Sequence, residues 1–137
     1  MNEQKISLLV EKSIEARRSC YAPYSNFAVG AALLCADGTV YTGANIENSS
    51  FTPTICAERV AFFSAVRDGH REFTAIAIVG GNADEPISEF CPPCGVCRQV
   101  MSEFCKGDFK IILSNGNTAR VMTLDDILPA RFDLLNQ

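Results

Sequence analysis

Two short segments of this 137-residue chain combine residue types that bind metal ions. They read Cys56-Ala57-Glu58-Arg59 and Pro93-Cys94-Gly95-Val96-Cys97. Cys94 and Cys97 lie three residues apart at the expected start of a helix, so both thiols can reach one ion, and Cys56 can supply a third thiolate. Zinc takes such ligands in a tetrahedron, and three protein ligands leave the fourth position open for water. The spacing therefore predicts a catalytic zinc site.

Glu58 indicates what that water is for. It follows a predicted ligand by two residues, close enough to reach the water without binding the metal. A carboxylate placed in this way can take a proton from water and deliver it to a substrate. We therefore predict that Glu58 is a general acid and base.

Other interpretations of these cysteines stay open at this stage. A Cys-x-x-Cys pair at a helix start is also typical of redox dithiols. Cys91, Cys94 and Cys97 share the spacing of a bacterial iron–sulfur run, although the next position of that run is Met101. A structural zinc module would need a fourth protein ligand, for which Cys91 and Cys105 are available. If it is not a ligand, Cys91 is a free loop thiol.

Strands and helices alternate around these segments. Helices are expected over residues 4–20, from Cys56 to Gly69, after Pro92–Pro93 and from Thr123. Strands are expected over 29–36, 39–47, 74–79, 110–113 and 120–122, with a tight turn at Asp37–Gly38 and a stop at Gly80–Gly81. His70 is interpreted as a solvated residue beyond a helix end and not as a ligand. The alternation predicts one α/β domain over 1–137, with helices packed on one mixed sheet.

Composition narrows the classes of function. Hydrophobic residues make up 47% of the chain and charged residues 20%, as in a globular domain. The net charge is −4 and the 12 basic residues are scattered, which argues against a nucleic-acid partner. No apolar run approaches the roughly 18–20 residues of a membrane span. Seven cysteines with no secretory signal suggest reduced thiols, so we expect a cytoplasmic protein.

The motifs together resemble the small cytidine deaminase family in its all-cysteine zinc form. The resemblance is carried, in the family's order, by the following segments: APYSNFAVGAAL, GANIENSS, CAER, PCGVCRQV and LPARF. A ligand-x-Glu segment followed by Pro-Cys-x-x-Cys is the signature of zinc deaminases. The resemblance implies a three-layer α/β/α fold with a mixed five-stranded sheet and helices on both faces. It also implies one zinc per chain, a homotetramer, and deamination of cytidine and deoxycytidine in pyrimidine salvage.

The resemblance also implies roles for individual residues. Cys56, Cys94 and Cys97 would hold zinc, and Glu58 would carry protons. Phe27 would pack against the pyrimidine, and Asn45 and Glu47 would contact the ribose. The Ala57 N–H would donate to the base carbonyl, and the Pro92 carbonyl would accept from the amine. Phe132 would reach into a neighbouring subunit. Phe51 stands where relatives often carry Tyr.

Arg59 resembles a family residue that donates hydrogen bonds to the thiolates. Three thiolates around a divalent ion leave net negative charge, which makes the bound water less acidic, and a guanidinium would withdraw some of that charge. Gln99 would orient Arg59. Related zinc deaminases act on other substrates, including blasticidin S, and the Asn45-Ile46-Glu47-Asn48 segment favours a ribose instead.

Overall fold

A computed structural model describes residues 1–135 of the chain. Its helices are α1 (Glu3–Ala16), α2 (Ala57–Arg67), α3 (Gly95–Phe104) and α4 (Leu124–Ile127). Its strands are β1 (Phe27–Cys35), β2 (Val40–Ala44), β3 (Phe73–Asn82), β4 (Lys110–Ser114) and β5 (Ala119–Thr123). Within this described part, no helix has the length and apolar character needed to cross a membrane.

The five strands form one mixed sheet in the order β2-β1-β3-β4-β5. β3 and β4 pair in parallel, with α3 in the connection between them, while the other neighbours pair antiparallel. A parallel pair needs such a crossover connection because its strands run in the same direction. The predicted mixed five-stranded sheet is confirmed.

The sheet is buried on both faces, which makes the fold three-layered. Ala31 and Leu33 of β1 pack in the cluster that contains residues of α2 and α3. Ala32 and Leu34, which alternate with them, pack against Leu9 of α1 on the other face. Successive strand residues point to opposite faces, so one apolar strand serves two cores. The predicted α/β/α arrangement is confirmed.

The structure corrects some predicted boundaries. The first helix ends at Ala16, and the second strand of the hairpin ends at Ala44, both earlier than expected. Gly80 and Gly81 do not stop β3, which continues to Asn82 and pairs both glycines with β1. Gly80 is a place where other side chains approach the sheet closely, a second use of glycine in strands, whereas the nearest atom to a Cβ at Gly81 lies 3.7 Å away.

Gly43 of β2 lets the sheet approach the first turns of α2. A Cβ atom built at this glycine would lie 2.7 Å from the backbone nitrogen of Ala61 and would overlap the carbonyl of Ala57. No larger residue fits without moving the helix. The close packing fixes the start of α2 against the β1–β2 hairpin.

Candidate active site

Two helix starts bring the three predicted ligands together. Cys56 is the N-cap residue of α2 and Cys94 is that of α3, and neither thiol makes a capping bond to the backbone. Cys97 lies one turn further along α3 and is buried. Because the N-terminus of a helix carries partial positive charge, both sites favour the thiolate form.

The spacing of the sulfur atoms fits zinc. Cys56 Sγ lies 3.8 Å from Cys94 Sγ, which lies 3.6 Å from Cys97 Sγ. Zn–S bonds of about 2.3 Å at tetrahedral angles place two sulfur atoms about 3.8 Å apart. The cluster that could hold an ion here consists, among residues 1–135, of these three cysteines. Cys91 and Cys105 are not in it, which favours an open coordination position over a closed structural site.

Hydrogen bonds at the thiols favour charge on Cys56. Its pKa is lowered to about 5, chiefly because the Cys97 thiol donates a hydrogen bond to it and then because Arg59 Nη2 donates another over 3.4 Å. The pKa of Cys97 is raised well above its ordinary value by that same hydrogen bond and by burial. A cation placed among the sulfurs would favour the charged form of all three.

Glu58 is a buried carboxyl group beside the thiols. It is the second residue of α2 and only 4% exposed. Within the described part of the chain its Oε1 atom has no hydrogen-bond partner, which is rare for a buried oxygen. Burial raises the pKa of Glu58 to about 7. A carboxyl group with this pKa can both accept and release a proton near neutral pH.

Asn45 and Glu47 tie together the chain around Phe27. Asn45 Nδ2 donates to the Phe27 carbonyl over 2.8 Å, and Asn45 Oδ1 accepts from the Val29 N–H over 2.9 Å. Glu47 Oε1 accepts from the Tyr24 N–H over 3.0 Å. Phe27 itself is 43% exposed at the start of β1. The two predicted ribose contacts therefore also shape the loop that presents the predicted base-stacking ring.

A cleft of about 330 Å³ lies beside this loop. It is lined by Tyr24, Ser25, Glu47, Asn48, Phe51 and Thr54. Its size is at the lower end of small-molecule pockets. Phe51 is 81% exposed at its rim. Glu47 binds Tyr24 and Ser25 beside the cleft, and Asn45 binds Phe27 shortly after them in the chain, so the two predicted ribose contacts lie at the same end of the sheet.

The other predicted contacts occupy different surroundings. Ala57 is the first residue of α2, so its N–H has no acceptor within the helix, and the residue is fully buried. Pro92 lies in the loop that leads to Cys94. Gln99 Nε2 donates to the backbone carbonyl of Phe132 over 3.0 Å, and the ring of Phe132 is 61% exposed. Gln99 thus binds the C-terminal segment, and no hydrogen bond within residues 1–135 joins it to Arg59 as predicted.

Two residues that shape the site were missed from the sequence. Arg98 Nε donates to the Pro93 carbonyl over 2.8 Å and its Nη1 donates to the Ile127 carbonyl over 2.7 Å, which holds the loop before Cys94. A Cβ atom at Gly80 would lie 2.7 Å from Cys91 Sγ and 3.1 Å from Phe27 Cε2. The signal for Arg98 was its place directly after the Cys-x-x-Cys pair, whereas Gly80 gave none.

Comparison with known proteins identifies the class. Residues 3–113 match the family described as the cytidine and deoxycytidylate deaminase zinc-binding region. The chain is 48% identical to a cytidine deaminase of Sporosarcina psychrophila over 93% of this chain and 90% of that one. A cytidine deaminase structure from Burkholderia pseudomallei is 44% identical, with a TM-score of 0.85 over 96% of this chain and 100% of that one. A blasticidin-S deaminase of Bacillus cereus is 29% identical over 76% of each chain.

The fold and the cysteine cluster thus define a zinc-binding deaminase. The chain belongs to the cytidine and deoxycytidylate deaminase family. The family's zinc requirement agrees with the three-sulfur cluster, which could hold such an ion.

Proposed function

We propose that this protein hydrolyses cytidine and deoxycytidine to uridine and deoxyuridine, with release of ammonia. One observation carries the proposal: a buried Glu58 carboxyl oxygen, which has no hydrogen-bond partner among residues 1–135, lies next to thiols spaced for zinc. The identity to cytidine deaminases over nine-tenths of the chain supports the choice of substrate.

The reaction requires two protons to be moved, each of them through Glu58. A zinc ion held by Cys56, Cys94 and Cys97 would supply an acidified water molecule. As a water molecule adds to C4 of the base, Glu58 would take the proton that the water loses and pass it to N3. Glu58 then moves the remaining hydroxyl proton to the amine, which leaves as ammonia. Cytidine and water thereby give uridine and ammonia, and Glu58 returns to its initial state.

The proposed substrate contacts place C4 at the carboxyl group. Phe27 would pack against the pyrimidine, while Asn45 and Glu47 would bind the ribose with their remaining hydrogen-bonding capacity. The Ala57 N–H would hold the base carbonyl and the Pro92 carbonyl would accept from the amine. Loss of a ribose contact should raise KM more than it lowers kcat, because this contact is made equally in the ground and transition states.

An ultraviolet assay of cytidine loss, before and after zinc removal, tests the proposed function. We expect turnover that disappears with a chelator and returns with added zinc. Blasticidin S is the matched comparison substrate, and deoxycytidine the second. Faster turnover of blasticidin S than of cytidine, or cytidine turnover unaffected by complete metal removal, would contradict the proposal.

We further propose that the protein is a homotetramer in which Phe132 enters a neighbouring site. An open groove of about 530 Å³ between α2 and α3 exposes apolar side chains, including Phe63 and Val96, which are 45% and 58% exposed. Apolar surfaces of this kind commonly mark interfaces. Light scattering should give four chains per particle, and Phe132→Ala should lower kcat/KM while the protein stays assembled.

We also place the protein in the cytoplasm. All seven cysteines are free thiols, as a reducing compartment keeps them. Free thiols are also what the ligand set needs, since zinc binds the thiolate and not a disulfide. Cell fractionation with the activity assay tests this location.

A further inference from the structure

A second group of metal-binding side chains lies at the opposite end of α2. Cys35 ends β1, Asp37 lies in the β1–β2 turn, and His70 follows the end of α2. One ligand atom from each lies within 4.8 Å of the other two. α2 has 11 residues and a rise of about 1.5 Å per residue, so about 16 Å of helix separates this group from Cys56.

The surrounding contacts hold His70 in place. His70 Nδ1 lies 3.8 Å from Asp37 Oδ2, and the ring meets Tyr41 edge-on with centroids 5.3 Å apart. The Tyr41 hydroxyl in turn donates to Asp68 Oδ2 over 2.8 Å. The sequence suggested a solvated His70, but its side chain is only 22% exposed and is packed against its neighbours. Outer contacts of this kind orient histidine ligands at metal sites.

The three groups present different access and charge. Cys35 is buried with 1% of its surface exposed, whereas the Asp37 side chain is 60% exposed. Burial and the nearby Asp37 carboxylate raise the pKa of the Cys35 thiol to about 11. A cation at this point would favour the thiolate, and the partial negative charge at the C-terminus of α2 favours a cation there.

The donor set selects the kind of ion. Magnesium and calcium take oxygen ligands, so a set with one sulfur, one nitrogen and one oxygen donor does not suit them. Zinc binds all three donor types at 2.0–2.3 Å in a tetrahedron. Asp37 faces solvent, which leaves room for water as the fourth ligand.

We propose that Cys35, Asp37 and His70 form a second cation site that binds zinc or a similar borderline divalent ion. A bound ion would join the end of β1, the hairpin turn and the end of α2. The site is separate from the catalytic cluster and shares no ligand with it.

The single histidine of the chain makes the site directly observable. Protein with its catalytic zinc in place and with labelled histidine is titrated with zinc, while the imidazole resonance and the zinc content per chain are followed. We expect one further ion per chain and a shift of the imidazole resonance that saturates at that stoichiometry. A zinc content that stays at one ion per chain, or an unmoved imidazole signal, would overturn the proposal.

Variants separate this site from simple imidazole binding. Cys35→Ser and Asp37→Asn should each weaken the second ion by at least about 10–100-fold, the loss seen even for outer partners of metal ligands. Cys105→Ser removes another partly buried thiol, outside both clusters, and should bind the second ion as the parent does. Circular dichroism checks that each variant is folded. Equal imidazole shifts in the parent protein, Cys35→Ser and Asp37→Asn would show binding by His70 alone and would contradict the three-residue site.

Discussion

The two ends of α2 carry related side chains in opposite electrostatic surroundings. At the N-terminal end, hydrogen bonds lower the pKa of Cys56 to about 5. At the C-terminal end, burial and Asp37 raise the pKa of Cys35 to about 11. The first end stabilises thiolates before an ion arrives, while the second depends on the ion to create one. Cys56, Cys94 and Cys97 therefore form a prepared end of α2, whereas Cys35, Asp37 and His70 form a conditional end, and cysteine serves in both.

A substitution at Glu58, at the prepared end of α2, should have the largest effect. Glu58→Gln keeps the size of the side chain but cannot carry a proton, so we expect kcat to fall by about 10²–10⁴-fold with zinc content unchanged. Parallel ultraviolet assays and metal analysis measure both effects. Glu72→Gln, an exposed glutamate near the other end of α2, is the matched control and should act as the parent does. A Glu58→Gln protein with its full zinc content and parental turnover would remove Glu58 from the mechanism.

Arg59→Ala would make the prepared end more like the conditional one. The folded-state pKa of Cys56 lies below the ordinary value of 9.0, so the favourable thiolate is present at neutral pH and is lost as the pH falls through about 5. Without the Arg59 hydrogen bond the pKa of Cys56 should rise by about one unit, equivalent to about 1.4 kcal/mol. The Cys56 thiolate is then lost at a higher pH than in the parent protein.

Zinc retention and kcat/KM measured against pH give the size of the Arg59 effect. Arg59→Lys keeps the positive charge but not the fork of donors, so its profile should lie between those of the parent and Arg59→Ala. Identical profiles in all three proteins would mean that Arg59 does not act on the thiolates.

Gly80→Ala tests packing near the prepared end without changing a charge. The added methyl group would meet Cys91 Sγ at 2.7 Å and Phe27 at 3.1 Å, so we expect unfolding in urea to require about 1–3 kcal/mol less, together with a higher KM. Gly81→Ala is the matched control, because the nearest atom to its Cβ lies 3.7 Å away. Equal stability losses in the two variants would contradict the close approach at Gly80.

Tyr41→Phe should have the smallest effect and should act on the conditional end alone. Loss of the hydrogen bond to Asp68 is expected to lower the free energy of unfolding by about 0.5–1.5 kcal/mol. The second zinc ion should bind more weakly because His70 is less well held, while kcat/KM for cytidine stays at the parental value. A change in kcat/KM would show that the two ends of α2 are coupled.

The ligand cluster could be predicted because its information is local. Cys56 and Cys94 each begin a helix, and Cys97 and Glu58 lie within one turn of those starts, so spacing alone indicates their shared direction. The alternation of predicted strands and helices likewise indicated helices packed on one mixed sheet, and the family resemblance implied helices on both faces.

Contacts between distant segments could not be predicted in this way. Asn45 binds the backbone at Phe27 and Val29 only because β1 and β2 pair in one particular register. Gly80 resembles a strand stop until the loop bearing Cys91 packs on it. Cys35 and His70 are 35 positions apart and meet only where the hairpin turn reaches the end of α2, so no motif joins them.

β3 lies in the chain between the two helix starts that carry the thiols, and its pairing affects when zinc can bind. Cys56 and Cys94 are 38 positions apart, and β3, which lies in the chain between them, occupies the centre of the sheet. An ion that joins the two cysteines closes a long loop, and much of the entropy cost of that closure has already been met once β3 is paired. We therefore expect all three thiols to bind the ion together only after β3 is paired, and before that only Cys94 and Cys97, which lie within one helical turn, can share an ion.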